Sequence, residues 1–308
     1  MNFLIAGETL IDLISQDFAD QLPDAQAFIP LPGGSAANLS VNLSRLGNKA
    51  GIATCLGADG WGQHMRLNLE NEGVNTQFVQ HHATEPTTVV LVTRSRHTPD
   101  FLVYRGADAA LWDTGLPDFP TGLKVFHTTC FALSKAPAQQ RIMEAAALLA
   151  ERGCQLSIDT NYAAKVWPDR NQAHEFLRQW CRWGAIIKCS EDDWARIMDT
   201  PDPDPMEAAD FFLNHGARQV CITLGAKGCI SATQTDRQVF SALPLDAVAD
   251  ATGAGDAFWA GYLTAFGEGH SAHACAQAGL RSARAKLSVI GPIPKDLSRT
   301  DLLSNFFA

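Results

Sequence analysis

The segment Asp250-Ala-Thr-Gly-Ala-Gly-Asp-Ala-Phe-Trp-Ala-Gly261 has residue types and a spacing that could do chemistry. Gly253 and Gly255 let a ligand approach the backbone closely, and Ala254 onward reads as the start of a helix. Free amides at a helix start attract anions, and the helix dipole favours negative charge there. Asp256 then places a carboxylate beside an anion pocket. Such a carboxylate is electrostatically misplaced unless it accepts a proton from an attacking hydroxyl; the competing reading is a helix cap. The segment is neither a Gly-Lys-Ser/Thr phosphate loop nor a Gly-x-Gly-x-x-Gly dinucleotide turn. A second glycine motif, Gly33-Gly-Ser-Ala-Ala-Asn38, also opens a helix. There Asn38 offers a donor and an acceptor suited to a polyol, although a tight turn would need the same glycines.

These motifs require elements to hold them. The run Phe3–Ile14, interrupted only by Gly7 and Glu8, reads as one buried central strand. Apolar Ala36, Leu39, Leu43 and Leu46 recur at helical spacing until Gly47. Strand-like 51–56, helix-like 61–72 and strand-like 77–80 continue the alternation. Thr87–Thr93 and Phe101–Tyr104 then break it as a hairpin around Arg94–Asp100. Further strands near 124–127, 155–159, 185–189 and 218–224 alternate with helices, notably 136–152 and 206–215, and helices over 254–267 and 271–288 close the chain. The Asp199–Pro205 cluster is a loop. The expectation is a single α/β domain over residues 1–308, mainly parallel, with a small β-sheet lid from segments near 14–32 and 87–107. Ligands should lie beyond the carboxyl ends of its strands.

Composition narrows the partners. The 308 residues are 46% hydrophobic and 19% charged, with a formal net charge of −9. No basic stripe is available for a nucleic-acid backbone, and no apolar run approaches the ~18 residues of a membrane helix. The eight cysteines form no Cys-x-x-Cys pair, and with no signal-peptide pattern at the N-terminus they read as reduced thiols of a cytoplasmic protein.

The two glycine motifs, in this order and separation, resemble the two signatures of the ribokinase-like (PfkB) carbohydrate kinase family. Gly7-Glu-Thr-Leu-Ile-Asp12 resembles that family's first strand, and Thr223-Leu-Gly-Ala-Lys-Gly228 its nucleotide-binding turn. The resemblance implies a three-layer α/β/α fold and an ATP-dependent kinase of a small sugar. Asp256 would be the base, with the amides from Gly253 through Ala254 and Gly255 to Asp256 as the anion hole. Asp12, Gly34 and Asn38 would hold the sugar. Lys188, Ser190, Thr223, Gly225 and Gly228 would lie along ATP, and Asp193 would support Mg²⁺ through water. Asp250 and Thr252, with carbonyls near Lys286–Gly291, would bind a monovalent cation such as K⁺.

Within the family, Lys188-Cys-Ser-Glu-Asp-Asp193 is similar to fructokinases and the related aminoimidazole riboside kinases. Phe101 and Arg105 resemble residues of the fructokinase lid that face the sugar; lid core and a surface charge are their ordinary readings. Ala163 stands where other members carry an arginine, which disfavours a carboxylated sugar such as 2-keto-3-deoxygluconate. Fructose is therefore the expected substrate. Another sugar, a nucleoside, or an inert sugar-binding regulator are the alternatives. Exposed lid edges suggest a homodimer.

Overall fold

The computed structural model describes residues 1–95 and 99–304. Its first strand is shorter than the apolar run suggests. β1 (Phe3–Ala6) ends at Gly7, and the chain crosses to a second sheet before β2 (Leu10–Phe18). Two residues force the break. A Cβ at Gly7 would lie 2.9 Å from the Ala36 Cβ. Glu8 is buried, and its carboxylate accepts from the Ser35 amide at 3.0 Å and from Thr129 Oγ1 at 2.8 Å. The expected single strand over 3–14 is thus two strands in two sheets, and Asp12 belongs to the second.

β3 (Phe28–Gly33) leads into α1 (Ser35–Arg45), followed by β4 (Ala50–Gly57), α2 (Gly60–Asn71) and β5 (Asn75–His82). β6 (Val89–Arg94) and β7 (Phe101–Tyr104) form the expected antiparallel hairpin, although positions 96–98 of its connection lie outside the described residues. The βα alternation resumes through β8 (Val125–Thr129), α3 (Ala138–Glu151), β9 (Gln155–Asp159), α4 (Arg170–Arg182), β10 (Ile186–Ser190), α5 (Glu191–Met198), α6 (Pro205–Asn214) and β11 (Gln219–Thr223). The antiparallel strands β12 (Cys229–Ala232) and β13 (Arg237–Phe240) follow. Helices α7 (Ala254–Gly267), α8 (Ala272–Leu287) and α9 (Arg299–Leu303) end the described chain.

The large sheet runs β13-β12-β11-β10-β9-β8-β1-β4-β5, and the small one runs β3-β2-β6-β7. The large sheet is parallel from β11 to β5 because each crossover returns the chain to the same end of the sheet before the next strand starts. All residues of β1 and β4 are buried, as strands covered on both faces must be. Apolar clusters lie on the two faces: Phe126, stacked on Trp180, in one, and Phe3, Leu43 and Trp259 in the other. Among the described residues, no helix is long and apolar enough to cross a membrane.

Candidate active site

Helix α7 starts at Gly253, whose left-handed backbone (φ 73°) turns the preceding loop into the helix. No side chain caps this start; the Ala254 amide donates to the Ala251 carbonyl at 3.2 Å, and among the described residues no side chain is hydrogen-bonded to the Gly255 and Asp256 amides that follow. The Asp256 carboxylate points elsewhere. Ser35 Oγ donates to its Oδ1 at 2.5 Å and Asn38 Nδ2 to its Oδ2 at 2.9 Å. The cap reading of Asp256 therefore fails: its two donors come from α1, which the second glycine motif opens. Burial raises its pKa above the usual 3.8, against the two hydrogen bonds and the nearby Lys188 charge. The sequence motifs 218 residues apart meet here.

Asp12 approaches from the lid. Its carboxylate lines a cavity of about 680 Å³ with Gly33, Asn38, Asp250, Thr252 and Gly253. Gly33 makes room for it, since a Cβ there would fall 2.1 Å from Asp12 Oδ2. Gly34, at φ 98°, passes so close to the Glu8 carbonyl that a Cβ would sit 2.5 Å from it. Burial, then the Asp256 charge, push Asp12 up to about 6. Among the described residues no donor reaches its carboxylate, so it is an acceptor facing an open volume.

Behind the α7 start lies a buried ion pair, Lys188 Nζ to Asp159 Oδ2 at 2.7 Å. A Cβ on Gly255 would come 3.3 Å from that ammonium, which fixes how closely Lys188 backs the anion pocket. Burial alone would lower the Lys188 pKa, but the charges of Asp159, Asp193 and Asp256 raise it, so the lysine stays protonated. Burial brings Asp159 up to about 6 even against Lys188, which leaves the pair ionised at neutral pH.

Thr223 ends β11 in register with Ser190, and Gly225 and Gly228 follow in the adjoining turn. Gly228 (φ 109°) admits no side chain, since a Cβ would lie 1.9 Å from the Phe240 carbonyl. Ser190 and Asp193 form a reciprocal capping box at the start of α5. Asp193 accepts from the Ser190 amide and from Thr160 Oγ1, each at 3.3 Å. Its carboxylate is committed to the helix start, and the water-mediated Mg²⁺ contact implied by the resemblance gains no support from this geometry. No cluster of three or more metal-ligating side chains occurs among the described residues.

The monovalent-cation expectation requires correction. Lys286, expected to contribute only backbone, sends its ammonium into the proposed ligand set. Nζ donates to the Asp250 carbonyl at 3.0 Å, Asp250 Oδ2 at 2.8 Å and the Val289 carbonyl at 3.3 Å. Asp250 Oδ1 accepts from the Thr252 amide at 2.9 Å. Burial would raise the Asp250 pKa, but Lys286 and Thr252 hold it below its usual value. These residues do not fit an alkali ion.

Phe101 and Arg105 do not line the cavity. The Arg105 guanidinium is paired with Asp108 at 2.8 Å, donates to the Phe131 carbonyl and Ser134 Oγ, and lies over the Phe131 ring. Phe101 stands under the Lys165 ammonium, which pairs with Asp100 on the outside of the lid. Lys165 therefore does not replace the arginine missing at Ala163.

Residues 2–298 match the model of the pfkB family carbohydrate kinases. The chain belongs to that family. This kinase is 29% identical over 99% of its length to an ATP-dependent 6-phosphofructokinase of Thermoanaerobacterium thermosaccharolyticum, covering 93% of that protein. It is 28% identical over 84% of its length to a fructokinase of Escherichia coli, covering 82% of it. The structure of the Halothermothrix orenii fructokinase superposes with a TM-score of 0.80 at 30% identity, over 95% of this kinase and all of that chain. The ribokinase-like fold and the carbohydrate-kinase class follow.

Sequence reasoning passed over four residues of the kinase's site. Glu8 read only as a strand breaker, yet it ties the α1 start to β8; burial brings it up to about 7. Ser35 sits inside the second glycine motif, and its hydroxyl was the available signal. Arg94, at the end of β6, lines the cavity and stacks on Phe18 at 4.7 Å. Lys286 was visible as a cation in the last turn of α8, a position that suits the helix dipole equally well.

Proposed function

We propose that this carbohydrate kinase transfers the γ-phosphoryl group of ATP to a primary hydroxyl of a small neutral sugar, fructose, with Asp256 taking the hydroxyl proton. The carrying observation is a pair of carboxylates with different surroundings: Asp12, which lines the cavity without a donor, and Asp256, buried just behind the cavity wall and clamped by Ser35 and by the cavity-lining Asn38 beside the start of α7. An open carboxylate suits sugar hydroxyls, which donate. A clamped carboxylate of raised pKa suits proton acceptance, because it is a stronger base than an exposed one and is already oriented. The amides from Gly253 to Asp256 would meet the charge developing on the transferred group, and Lys188 adds positive potential behind them. Each such contribution is of known scale: roughly 10²–10⁴-fold for the base and roughly 10²–10³-fold for one anion-hole donor. ATP would extend toward Thr223, Gly225 and Gly228. Mg²⁺ arriving with the nucleotide would supply charge neutralisation of its phosphates.

Fructose is supported by the fructokinases among the relatives and by the absence of a free guanidinium at Ala163 and Arg105. A second reading, fructose 6-phosphate, has its own observation. Arg94 lies at the cavity and pairs with no carboxylate among the described residues, and the relative aligned over almost the whole chain is a 6-phosphofructokinase. Apolar Ile29 and Leu31 on β3 are exposed, which supports pairing of two lids in a homodimer. Eight free, buried cysteines support a reducing, cytoplasmic setting. Initial rates of ADP formation with fructose, fructose 6-phosphate, ribose, 2-keto-3-deoxygluconate and a nucleoside test the substrate. The highest kcat/KM falls on fructose; a higher value for fructose 6-phosphate establishes the second reading, and no ADP with any of them overturns both.

A further inference from the structure

The ammonium of Lys286 is enclosed in an unusual way. Its side chain is 3% exposed, and its three N–H donors face three oxygens, two of them backbone carbonyls. A lysine held for an ion pair alone needs only the carboxylate. Here the carbonyls of Asp250 and Val289 also turn inward, an arrangement of hard oxygens that suits a compact cation. The neighbouring segments are pinned together as well, since the Ala249 amide donates to the Leu287 carbonyl at 2.8 Å. The cage lies in the loop that runs directly from Asp250 through Thr252 to Gly253, where α7 begins.

We propose that Lys286 is a built-in monovalent cation: its ammonium takes the place of an exchangeable ion beneath the anion pocket, so that turnover does not depend on K⁺. The inference rests on the kinase reading and sharpens it. Lys286 borders the cavity, but its ammonium is spent on the three loop oxygens; it is a positioning residue that acts by holding the Asp250–Gly253 loop, and so the first amides of α7. A second cation in the same cage would sit against the ammonium and be repelled. Removing the ammonium opens the cage, leaving two carbonyls and one carboxylate that an added ion can use.

The test compares wild type with Lys286→Met at constant ionic strength, in tetramethylammonium chloride or potassium chloride. Wild-type turnover changes by less than about twofold between the salts. Lys286→Met in tetramethylammonium loses at least about tenfold in kcat, and K⁺ or NH₄⁺ restores part of the loss. Without substrate, K⁺ raises the Tm of Lys286→Met but not of wild type, and Rb⁺-soaked crystals show an ion at Asp250 only in the variant. Activation of wild type by K⁺ of about fivefold or more overturns the proposal. So does Lys286→Met running at the wild-type rate in tetramethylammonium, or losing activity without any rescue. If the variant does not fold, Rb⁺ on wild type decides: a bound ion at Asp250 overturns the proposal and an empty cage supports it. The Tm and Rb⁺ measurements use no sugar, so a wrong substrate assignment leaves them readable.

Discussion

The two carboxylates of the site, Asp256 on helix α7 and Asp12 on the lid strand β2, are held in opposite ways. Asp256, on the helix side of the large sheet, has a donor on each oxygen and a buried lysine behind it. Asp12, on the lid, has neither, and its pKa is raised by burial and by Asp256 alone. The difference separates two tasks. A group that must be in place for a proton transfer is oriented by fixed neighbours, whereas a group that must bind a hydroxylic ligand is left unsatisfied until the ligand arrives.

The largest expected effect breaks the clamped side. Asp256→Asn keeps the shape and an acceptor for Ser35 Oγ, gives up the acceptor for Asn38 Nδ2 and cannot take a proton, so kcat for ADP formation should fall by roughly 10²–10⁴-fold. Retention of a tenth of wild-type turnover would remove Asp256 from the chemistry. Next is the support behind it. Lys188→Met leaves the Asp159 charge buried without its partner, and urea denaturation should report a loss of about 3–5 kcal/mol. A loss within about 0.5 kcal/mol, the range of an unremarkable surface substitution, would mean that the pair contributes no such support.

The open side is sharpened by a smaller change. Gly33→Ala drives a methyl group into Asp12 Oδ2, a flexible side-chain tip that can shift without unfolding the lid. The sugar KM should rise roughly tenfold, the scale of one lost hydrogen bond to a charged acceptor, with the ATP KM unchanged. Equal changes in both constants would make the effect one of the fold.

The smallest effect is that of pH. With Asp12 at about 6, kcat/KM for the sugar should decline as pH falls through 6, because protonation removes an acceptor of the free enzyme. Removing the Asp256 charge lowers the Asp12 pKa, so the acid limb of sugar binding in Asp256→Asn should move to lower pH. Stability has the reverse sign. A folded pKa above the usual 3.8 means that the Asp12 charge destabilises the ligand-free fold above pH 6, a cost relieved as pH falls toward 4. Asp12→Asn should therefore raise the Tm at pH 7.5 and lose that gain near pH 4.

Much of this division was legible in the chain. Gly253, Gly255 and Asp256 announce an anion site because helix starts and glycines have local consequences, and β9 and α7 have the bounds that their apolar spacing implies. The sheet switch at Gly7–Thr9 was not legible, because Phe3–Ile14 is apolar on both sides of the break and only contacts with Ala36, Ser35 and Thr129 reveal the crossing. Arg105 and Phe101 carry the right residue types for a sugar site. Whether a guanidinium faces a ligand depends on Asp108 and Phe131, which tertiary structure brings to it. The Ser190–Asp193 capping box was readable from its spacing alone, but a metal-site reading of the same carboxylate obscured it. Lys286 was hidden for a different reason: backbone carbonyls leave no trace in sequence, so nothing there says what a lysine at the end of α8 will reach.

The central claim is that Asp12 binds and Asp256 reacts, and calorimetry of fructose binding to wild type, Asp12→Ala and Asp256→Asn at pH 7.5 tests it most directly. The account predicts that Asp256→Asn binds fructose within about threefold of wild type, while Asp12→Ala weakens it by at least about tenfold. The opposite pattern, with binding lost in Asp256→Asn and kept in Asp12→Ala, would contradict it.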